Sequence, residues 1–261
     1  MFEARIQWRT AVLSAAGVVA LFANCNLRGP EGPASPALSG TLSGFTTLIN
    51  DNGQRPVDQF GVNVTIEGTS LSATTDGMGL WSFPNLTTGI YTLIFVKTGY
   101  GISKAIEVQF LGGGERNIGN VNLCQPPQFV VDSIWTRFPK GGDSNSVYLG
   151  VRASTSVNGP YRVVFFYSKD PGVSWKPAAY SYFSVENVLF RSGVDSASIR
   201  LQPINFATVG FPFQNGDTAY AAPYAATAGT TNSGYMDLAT GRTVLTDIDT
   251  ASAQVIRLVV P

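Results

Sequence analysis

The sequence contains no histidine among its 261 residues. Histidine is the general base of Ser-His-Asp and Cys-His catalysis, and it is the commonest zinc ligand in proteins. Its absence therefore excludes both kinds of catalysis and the usual zinc sites. Ser-Lys chemistry and carboxylate pairs stay open, but no motif frames either, so we predict no catalytic residue, no metal site and no cofactor.

Charged residues are also scarce, at 13% of the chain, against about 25% in a typical soluble domain. Lysine plus arginine and aspartate plus glutamate are equal, at 17 each. A balanced charge gives no electrostatic reason to expect a nucleic-acid partner. Glycine, serine, threonine and asparagine take the place of charged residues, and this composition favours an exported protein.

Long helical periodicity is missing as well, and apolar residues recur instead at every second position. Val62, Val64 and Ile66 fall on one side of an extended chain, which is the pattern of a half-buried strand. Asp76-Gly77-Met78-Gly79 then provides a tight turn, because glycine adopts positive φ at little cost. The run from Ile90 to Lys97 is apolar on both sides, so we expect it to be central or covered. The pattern predicts an all-β fold.

The region from Val62 to Tyr100 resembles the carboxypeptidase regulatory-like domain, a small transthyretin-like β-sandwich. The elements that carry the resemblance are Gly61-Val62-Asn63-Val64, Thr74-Thr75-Asp76-Gly77, Trp81-Ser82-Phe83-Pro84-Asn85-Leu86, Gly89-Ile90-Tyr91-Thr92-Leu93 and Lys97-Thr98-Gly99-Tyr100. The likeness extends over about a third of the chain, from Leu38 to Leu123. It implies a sandwich that serves as an accessory module, since in that family this domain is not the catalytic part.

The first 25 residues have the features of an export signal. Arg5 and Arg9 precede an apolar run from Ala11 to Ala23, which is shorter than the ~20 residues that span a bilayer. Leu21-Phe22-Ala23-Asn24-Cys25 resembles a bacterial lipobox, although Phe22 and Asn24 depart from its usual residues. The resemblance implies lipidation of Cys25 and attachment to a membrane of the cell envelope. Ordinary cleavage after Ala20 or Ala23 is the alternative.

Three segments follow the signal. Residues 26–37 form a Gly/Pro tether, and its collagen-like Gly29-Pro30-Glu31-Gly32-Pro33 is too short for a triple helix. Residues 38–124 form the first β-sandwich, and residues 125–128 form a proline-containing joint. Residues 129–261 form a second β-sandwich, in which the strand Tyr161–Tyr167 resembles the middle strand of a fibronectin type III domain. The further strands that we predict there are 129–138, 146–153, 179–190, 196–202, 217–226, the hairpin 235–246 and 255–260.

Cys124 is the only cysteine besides Cys25. We expect a buried, inert thiol at the joint between the two sandwiches. The alternative is a Cys25–Cys124 disulfide, which would close a loop of about 100 residues, worth ~4.7 kcal/mol in chain entropy. That disulfide is incompatible with lipidation of Cys25.

Acidic residues occur in turns and near the end of the chain. Asp51-Asn52-Gly53 and Asp76-Gly77-Met78-Gly79 offer one carboxylate each, too few for the six to eight oxygens around calcium, so we interpret both as hairpin turns. Asp247 and Asp249 lie two residues apart and would share a face in a strand. A solvated strand end is the preferred interpretation, and a carboxylate pair is the alternative.

Aromatic residues provide the candidate ligand site. Exposed tryptophan and tyrosine rings form the flat carbohydrate sites of β-sandwiches, and the candidates here are Trp175, Tyr180, Tyr182, Tyr220 and Tyr224. Core packing is the competing explanation for such same-face aromatics. The sequence thus predicts a non-catalytic envelope lipoprotein of binding or spacer modules. The alternatives are a carbohydrate-binding envelope protein and, third, an enzyme accessory subunit.

Overall fold

The computed structural model describes residues 37–137, 147–153, 159–190, 196–201, 212–228, 233–251 and 254–260. Residues Leu38–Pro261 belong to one compact unit. The described residues are almost entirely β-structure, with one short 3-10 turn at Pro177–Ala179. The predicted all-β class is confirmed.

Seven strands build the first sandwich, in two sheets. They are β1 (Ser39–Ile49), β2 (Asn63–Ile66), β3 (Ser72–Thr74), β4 (Leu80–Thr87), β5 (Gly89–Val96), β6 (Ser103–Phe110) and β7 (Glu115–Cys124). One sheet has the order β4-β1-β7 and the other has the order β3-β2-β5-β6. Strand β5 is therefore central in its sheet, as its apolar run predicts.

The core of the first sandwich lies between these two sheets. Trp81 is at its centre, edge-on to Phe83 in its own strand and to Phe95 in the facing sheet, with ring centroids 5.9 and 5.6 Å away. Leu86 also points inward, although it lies three residues after Phe83. Asn85 adopts a φ of 57°, and the register with β1 shifts nearby, so β4 continues through a bulge. Pro84 and Asn85, which are residue types that often end a strand, therefore lie within β4.

Strand β1 pairs with β4 in antiparallel and with β7 in parallel orientation. The parallel register begins at Thr41–Glu115 and ends at Ile49–Cys124. Because β1 is the first strand and β7 the last, the chain enters this sandwich at one end and leaves it at the other.

Nine further strands follow within the residues that the structure describes. They are β8 (Val131–Arg137), β9 (Val147–Ala153), β10 (Gly159–Ser168), β11 (Tyr182–Phe190), β12 (Ser196–Leu201), β13 (Thr218–Ala226), β14 (Tyr235–Asp237), β15 (Arg242–Val244) and β16 (Ile256–Val259). A sheet of order β12-β9-β8 faces a sheet of order β11-β10-β13-β16, and β14 and β15 form a hairpin. These strands match the ranges predicted from sequence to within two residues at most ends, except that the strand predicted over 179–190 begins only at Tyr182, because Pro177–Ala179 forms the 3-10 turn.

Strand β10 is buried on both of its faces. Val163, Phe165 and Tyr167 point into the core between the two sheets. Val164 and Phe166 point to the opposite face, where a second apolar cluster covers the sheet. We call this second group the outer cluster; its buried members are Val164, Phe166, Val173, Tyr180, Ala222, Tyr224, Ala226, Leu245 and Ile248.

Candidate functional site

The two sandwiches meet at the end of β7. The amide of Gly101 donates to the carbonyl of Cys124 over 2.9 Å, and Gly101 packs directly against the backbone of Thr246 in the second half. A β-carbon at Gly101 would lie 2.1 Å from the carbonyl oxygen of Thr246, so only glycine fits this approach. Nearby, the Lys104 ammonium lies 5.6 Å from the centre of the Tyr235 ring. The joint is therefore a packed contact.

A buried polar cluster lies at this joint. The thiol of Cys124 is 1% exposed, and the side chains of Thr227, Ser233 and Asp247 from the second half lie close enough to influence its pKa. The hydroxyl of Thr227 donates to a carboxylate oxygen of Asp247 over 3.0 Å. We call these four residues the joint cluster. Hydrogen bonds among buried groups offset the cost of removing them from water.

The chemistry of Cys124 follows from this environment. Burial, and then the negative charge of Asp247, raise the pKa of the Cys124 thiol to about 12. The thiolate is the reactive form of cysteine, so this thiol is almost entirely unreactive at neutral pH. The expected burial of this thiol is confirmed, and Cys124 is a free cysteine.

Asp247 corrects one expectation. Its side chain is 0% exposed, so the predicted solvated strand end is wrong for this residue. Asp247 and Asp249 lie outside the named strands. Ile248, which lies between them, forms an isolated β-bridge to Ala226, and the amide of Asp249 donates to the carbonyl of Ala225. Asp247 accepts from Thr227, whereas Asp249 accepts from the amide of Ala251. The two carboxylates thus engage different partners.

Two of the five candidate stacking residues are buried. Tyr180 and Tyr224 are each 3% exposed and flank Phe166 in the outer cluster, with ring centroids 4.9 and 5.5 Å from it. The Tyr180 hydroxyl donates to the carbonyl of Thr243 over 2.5 Å, and the Arg242 guanidinium lies 5.5 Å from the Tyr180 ring centre. Burial raises the pKa of both tyrosines. Since neither ring has a free face, their assignment as stacking residues is wrong.

The other three candidates are half-buried. Trp175 and Tyr220 pack against the outer cluster, whereas Tyr182 packs on the core between the sheets, with its ring tilted relative to that of Tyr167 and the two ring centroids 6.1 Å apart. The structure therefore does not bring the five aromatics together on one exposed face. Period-two spacing correctly placed Tyr220 and Tyr224 on one side of their strand, but the expectation that Tyr180 and Tyr182 share a side is wrong, because Tyr180 precedes β11 and packs on the opposite face of the sheet. The spacing also carried no signal of the segments that cover the sheet.

The acidic turns have local roles. One carboxylate oxygen of Asp76 accepts from the amides of Met78 and Leu80, each over 2.9 Å. Asn50 accepts from the amide of Gln54 across the turn that contains Asp51. These contacts support hairpin turns. No group of three or more acidic, cysteine or histidine residues suited to a metal ion occurs in the described ranges.

Cys25 and the whole export signal lie outside the described residues. Within the part of the chain that the structure describes, no helix has the length and apolar character needed to cross a membrane.

No protein-family model matches this sequence, and no curated protein sequence matches it. Among solved structures, a chain of a type II cohesin–X-dockerin complex from Acetivibrio cellulolyticus is 22% identical over 32% of this chain, with a TM-score of 0.28. This chain spans only 56% of the length of that one.

Two other solved structures align over more of the chain. One is a protein from Bacteroides uniformis provisionally named as carbohydrate binding, at 12% identity, 84% of this chain, 98% of that chain and a TM-score of 0.30. The other is a DUF3823 family protein from Parabacteroides merdae, at 14% identity, 85% and 100% coverage and a TM-score of 0.28. These scores lie well below 0.5, so the likeness carries no argument about function.

Proposed function

We propose that this chain is a non-catalytic module of the bacterial cell envelope that holds a second sandwich at a fixed distance from its point of attachment. The observation that carries the proposal is the parallel pairing of β1 with β7. Entry and exit of the chain at opposite ends make the first sandwich a spacer. An 11-residue strand such as β1 spans ~36 Å at ~3.3 Å per residue.

The packed joint supports the same function. Domains move relative to one another by default, whereas this joint brings backbone against backbone at Gly101 with no room for a β-carbon, and it buries a thiol and a carboxylate beside that contact. Such a contact holds the second sandwich in one orientation relative to the first. A spacer needs this stiffness because a flexible joint would not set a distance.

Distance measurement between spin labels tests the proposal. Labels at Ile90→Cys and Val259→Cys are placed on exposed positions of the two sandwiches, in a chain that lacks residues 1–25. Buried Cys124 is not expected to react with the label. A single narrow distance distribution is the expected result. A broad distribution would refute a rigid spacer.

We also infer that Cys25 is acylated and attaches the protein to a membrane of the cell envelope. The support is the lipobox-like Leu21-Phe22-Ala23-Asn24-Cys25 after a short apolar run. Two or three acyl chains, at about 0.8 kcal/mol per buried methylene, would give durable anchoring. The intact mass of the membrane-extracted protein tests this inference. The mass of a chain that begins at Leu21 or Asn24 and carries no lipid would contradict it.

Strand order supports finer family assignments. We propose that the first sandwich is a carboxypeptidase regulatory-like module, since β2 to β5 and the turns beside them contain the sequence elements of that domain in order. For the second sandwich, a sheet of the first, second and fifth strands faces a sheet of the third, fourth, sixth and last. This order supports a fibronectin type III-like fold. Both modules occur as accessory parts of larger proteins, which agrees with a role without catalysis.

Carbohydrate binding is the second candidate function. The observation in its favour is that Trp175 and Tyr220 keep part of their surface exposed beside the outer cluster. A glycan array with the wild type and Trp175→Ala tests it, and Trp135→Ala in the other sheet is the matched control. Binding that is lost only in Trp175→Ala would support the candidate, and no binding by the wild type would remove it.

A further inference from the structure

Exposed aliphatic side chains surround the end of the first sandwich at which the chain enters. Leu38 is 59% exposed, Ile90 is 70% exposed and Leu111 is 66% exposed. They come from three separate segments, which precede β1, begin β5 and follow β6. We call this end, formed by residues 37–40, 87–91 and 110–114, the entry end.

Backbone contacts hold the three segments together. The amide of Thr88 donates to the carbonyl of Leu38 over 2.8 Å, and its hydroxyl donates to the carbonyl of Phe110 over 2.9 Å. Gly112 and Gly113 have φ of 69° and 75°, and a β-carbon at Gly112 would lie 2.5 Å from the Leu38 carbonyl oxygen. The entry end is therefore a built surface, in which two glycines let the chain approach Leu38.

The entry end carries no charged side chain. The sequence has none from Ala37 to Asn50, from Leu80 to Val96 or from Val108 to Gly114, and the charges that border the last of these ranges are Glu107 on one side and Glu115 and Arg116 on the other. Exposed aliphatic groups without charges enter the boundary between lipid headgroups and acyl chains favourably, whereas charges oppose entry.

The opposite end of the same sandwich provides a contrast. Met78 is as exposed as Ile90, at 70%, and lies in the turn before β4. That turn contains the exposed carboxylate of Asp76, and Asp58 approaches Gly77 in the same turn. Exposure alone is thus equal at both ends, and the absence of charge distinguishes the entry end.

We propose that the entry end of the first sandwich rests in the surface of the membrane that anchors the chain. A membrane is the expected partner of this surface, because residues 26–37 connect the proposed lipid anchor at Cys25 directly to Leu38. A segment of this length reaches at most ~40 Å. The inference rests on the proposed membrane attachment, and with that attachment the entry end is the surface held nearest to the lipid.

The test uses residues 26–261 with a hexahistidine segment in place of residues 1–25. The native sequence has no histidine, so the segment alone provides histidine for attachment to vesicles of phosphatidylcholine with a small fraction of nickel-chelating lipid. Attachment is thereby independent of acylation, and failure of the entry-end proposal is distinguishable from failure of the proposed Cys25 anchor. An environment-sensitive fluorophore is placed at Ile90→Cys or, as the matched control, at Met78→Cys, while buried Cys124 is not expected to react.

The expected result is a blue-shifted, severalfold brighter emission at position 90 on vesicles, with no change at position 78. The shift should persist in 1 M NaCl, because no charge contributes to it. Adding Leu111→Asp to the Ile90→Cys protein should return the emission to its value in solution. No shift at position 90, or equal shifts at both positions, would overturn the proposal. A shift that appears without vesicles as protein concentration rises would assign the surface to a second copy of the chain and would also overturn it.

Discussion

Replacing Gly101 by alanine tests whether the joint between the sandwiches is as tightly packed as described. The new β-carbon would lie 2.1 Å from the carbonyl oxygen and 2.7 Å from the carbonyl carbon of Thr246. Both atoms belong to backbone and cannot rotate away, so the two halves must separate by more than ~1 Å to restore contact at about 3.4 Å. Overpacking of this kind costs about 1–3 kcal/mol.

Two measurements report the cost. With 2–3 kcal/mol lost, the melting temperature should fall by about 4–12 °C, at ~2–4 °C per kcal/mol for a chain of this size. If the substitution lowers the free energy of opening the joint by the same 2–3 kcal/mol, the rate at which a thiol reagent labels Cys124 should rise about 30- to 150-fold, since 1.36 kcal/mol corresponds to a factor of ten. Both experiments use a Cys25→Ser background, so that Cys124 is the only thiol.

Gly114→Ala is the matched control. A β-carbon there has no atom within 4 Å, so we expect a change within about 0.5 kcal/mol or a slight gain from the stiffer unfolded chain. Equal melting temperatures and equal labelling rates for the two variants would refute the close approach of Gly101 to Thr246.

Three further predictions follow from local contacts. The pKa of Cys124 is raised to about 12 in the folded state from 9.0, so the stability that the protonated thiol contributes is complete below pH 9 and is lost as the pH rises from 9 to 12. In urea unfolding, Cys124→Ala should therefore lose stability less steeply than the wild type over that range, by up to ~1.4 kcal/mol per pH unit. Identical slopes would contradict the buried thiol. Asp76→Ala removes the acceptor of two amides and should cost about 1–2 kcal/mol, while calcium should leave the melting temperature of the wild type unchanged; stabilisation by calcium would restore a calcium-loop interpretation. Tyr180→Phe loses the bond to Thr243 and should cost about 1 kcal/mol in urea unfolding, whereas an unchanged midpoint would place that hydroxyl in water.

Local pattern was sufficient to predict most strands. Val62, Val64 and Ile66 alternate with polar residues because one face of β2 is buried. Asp76 to Gly79 form a turn in which the Asp76 carboxylate accepts from the amide of Met78, two residues away. These features depend on residues within a few positions of each other. The bulge at Asn85 was missed because its inward Leu86 depends on pairing with β1, far away in the sequence.

The candidate site was less predictable for the same reason. Tyr180 and Tyr224 are of the residue type that stacks on sugars in carbohydrate sites. The sequence gives no sign that residues 242–248 and 173–183 bury both rings. Asp247 has an ordinary surface composition around it, yet it meets Cys124 from the other half of the chain. Neither contact leaves a periodic or local signal.

Side-chain alternation, glycine positions and composition were enough to predict the all-β class, the order of the strands, the turns between them and the lack of histidine-based chemistry. The folded chain was needed to show which faces are covered, which charges are buried and which end of the first sandwich receives the tether. Those outcomes depend on the approach of segments that are distant along the chain, and period-two spacing reports which side chains share a face but not what lies opposite it.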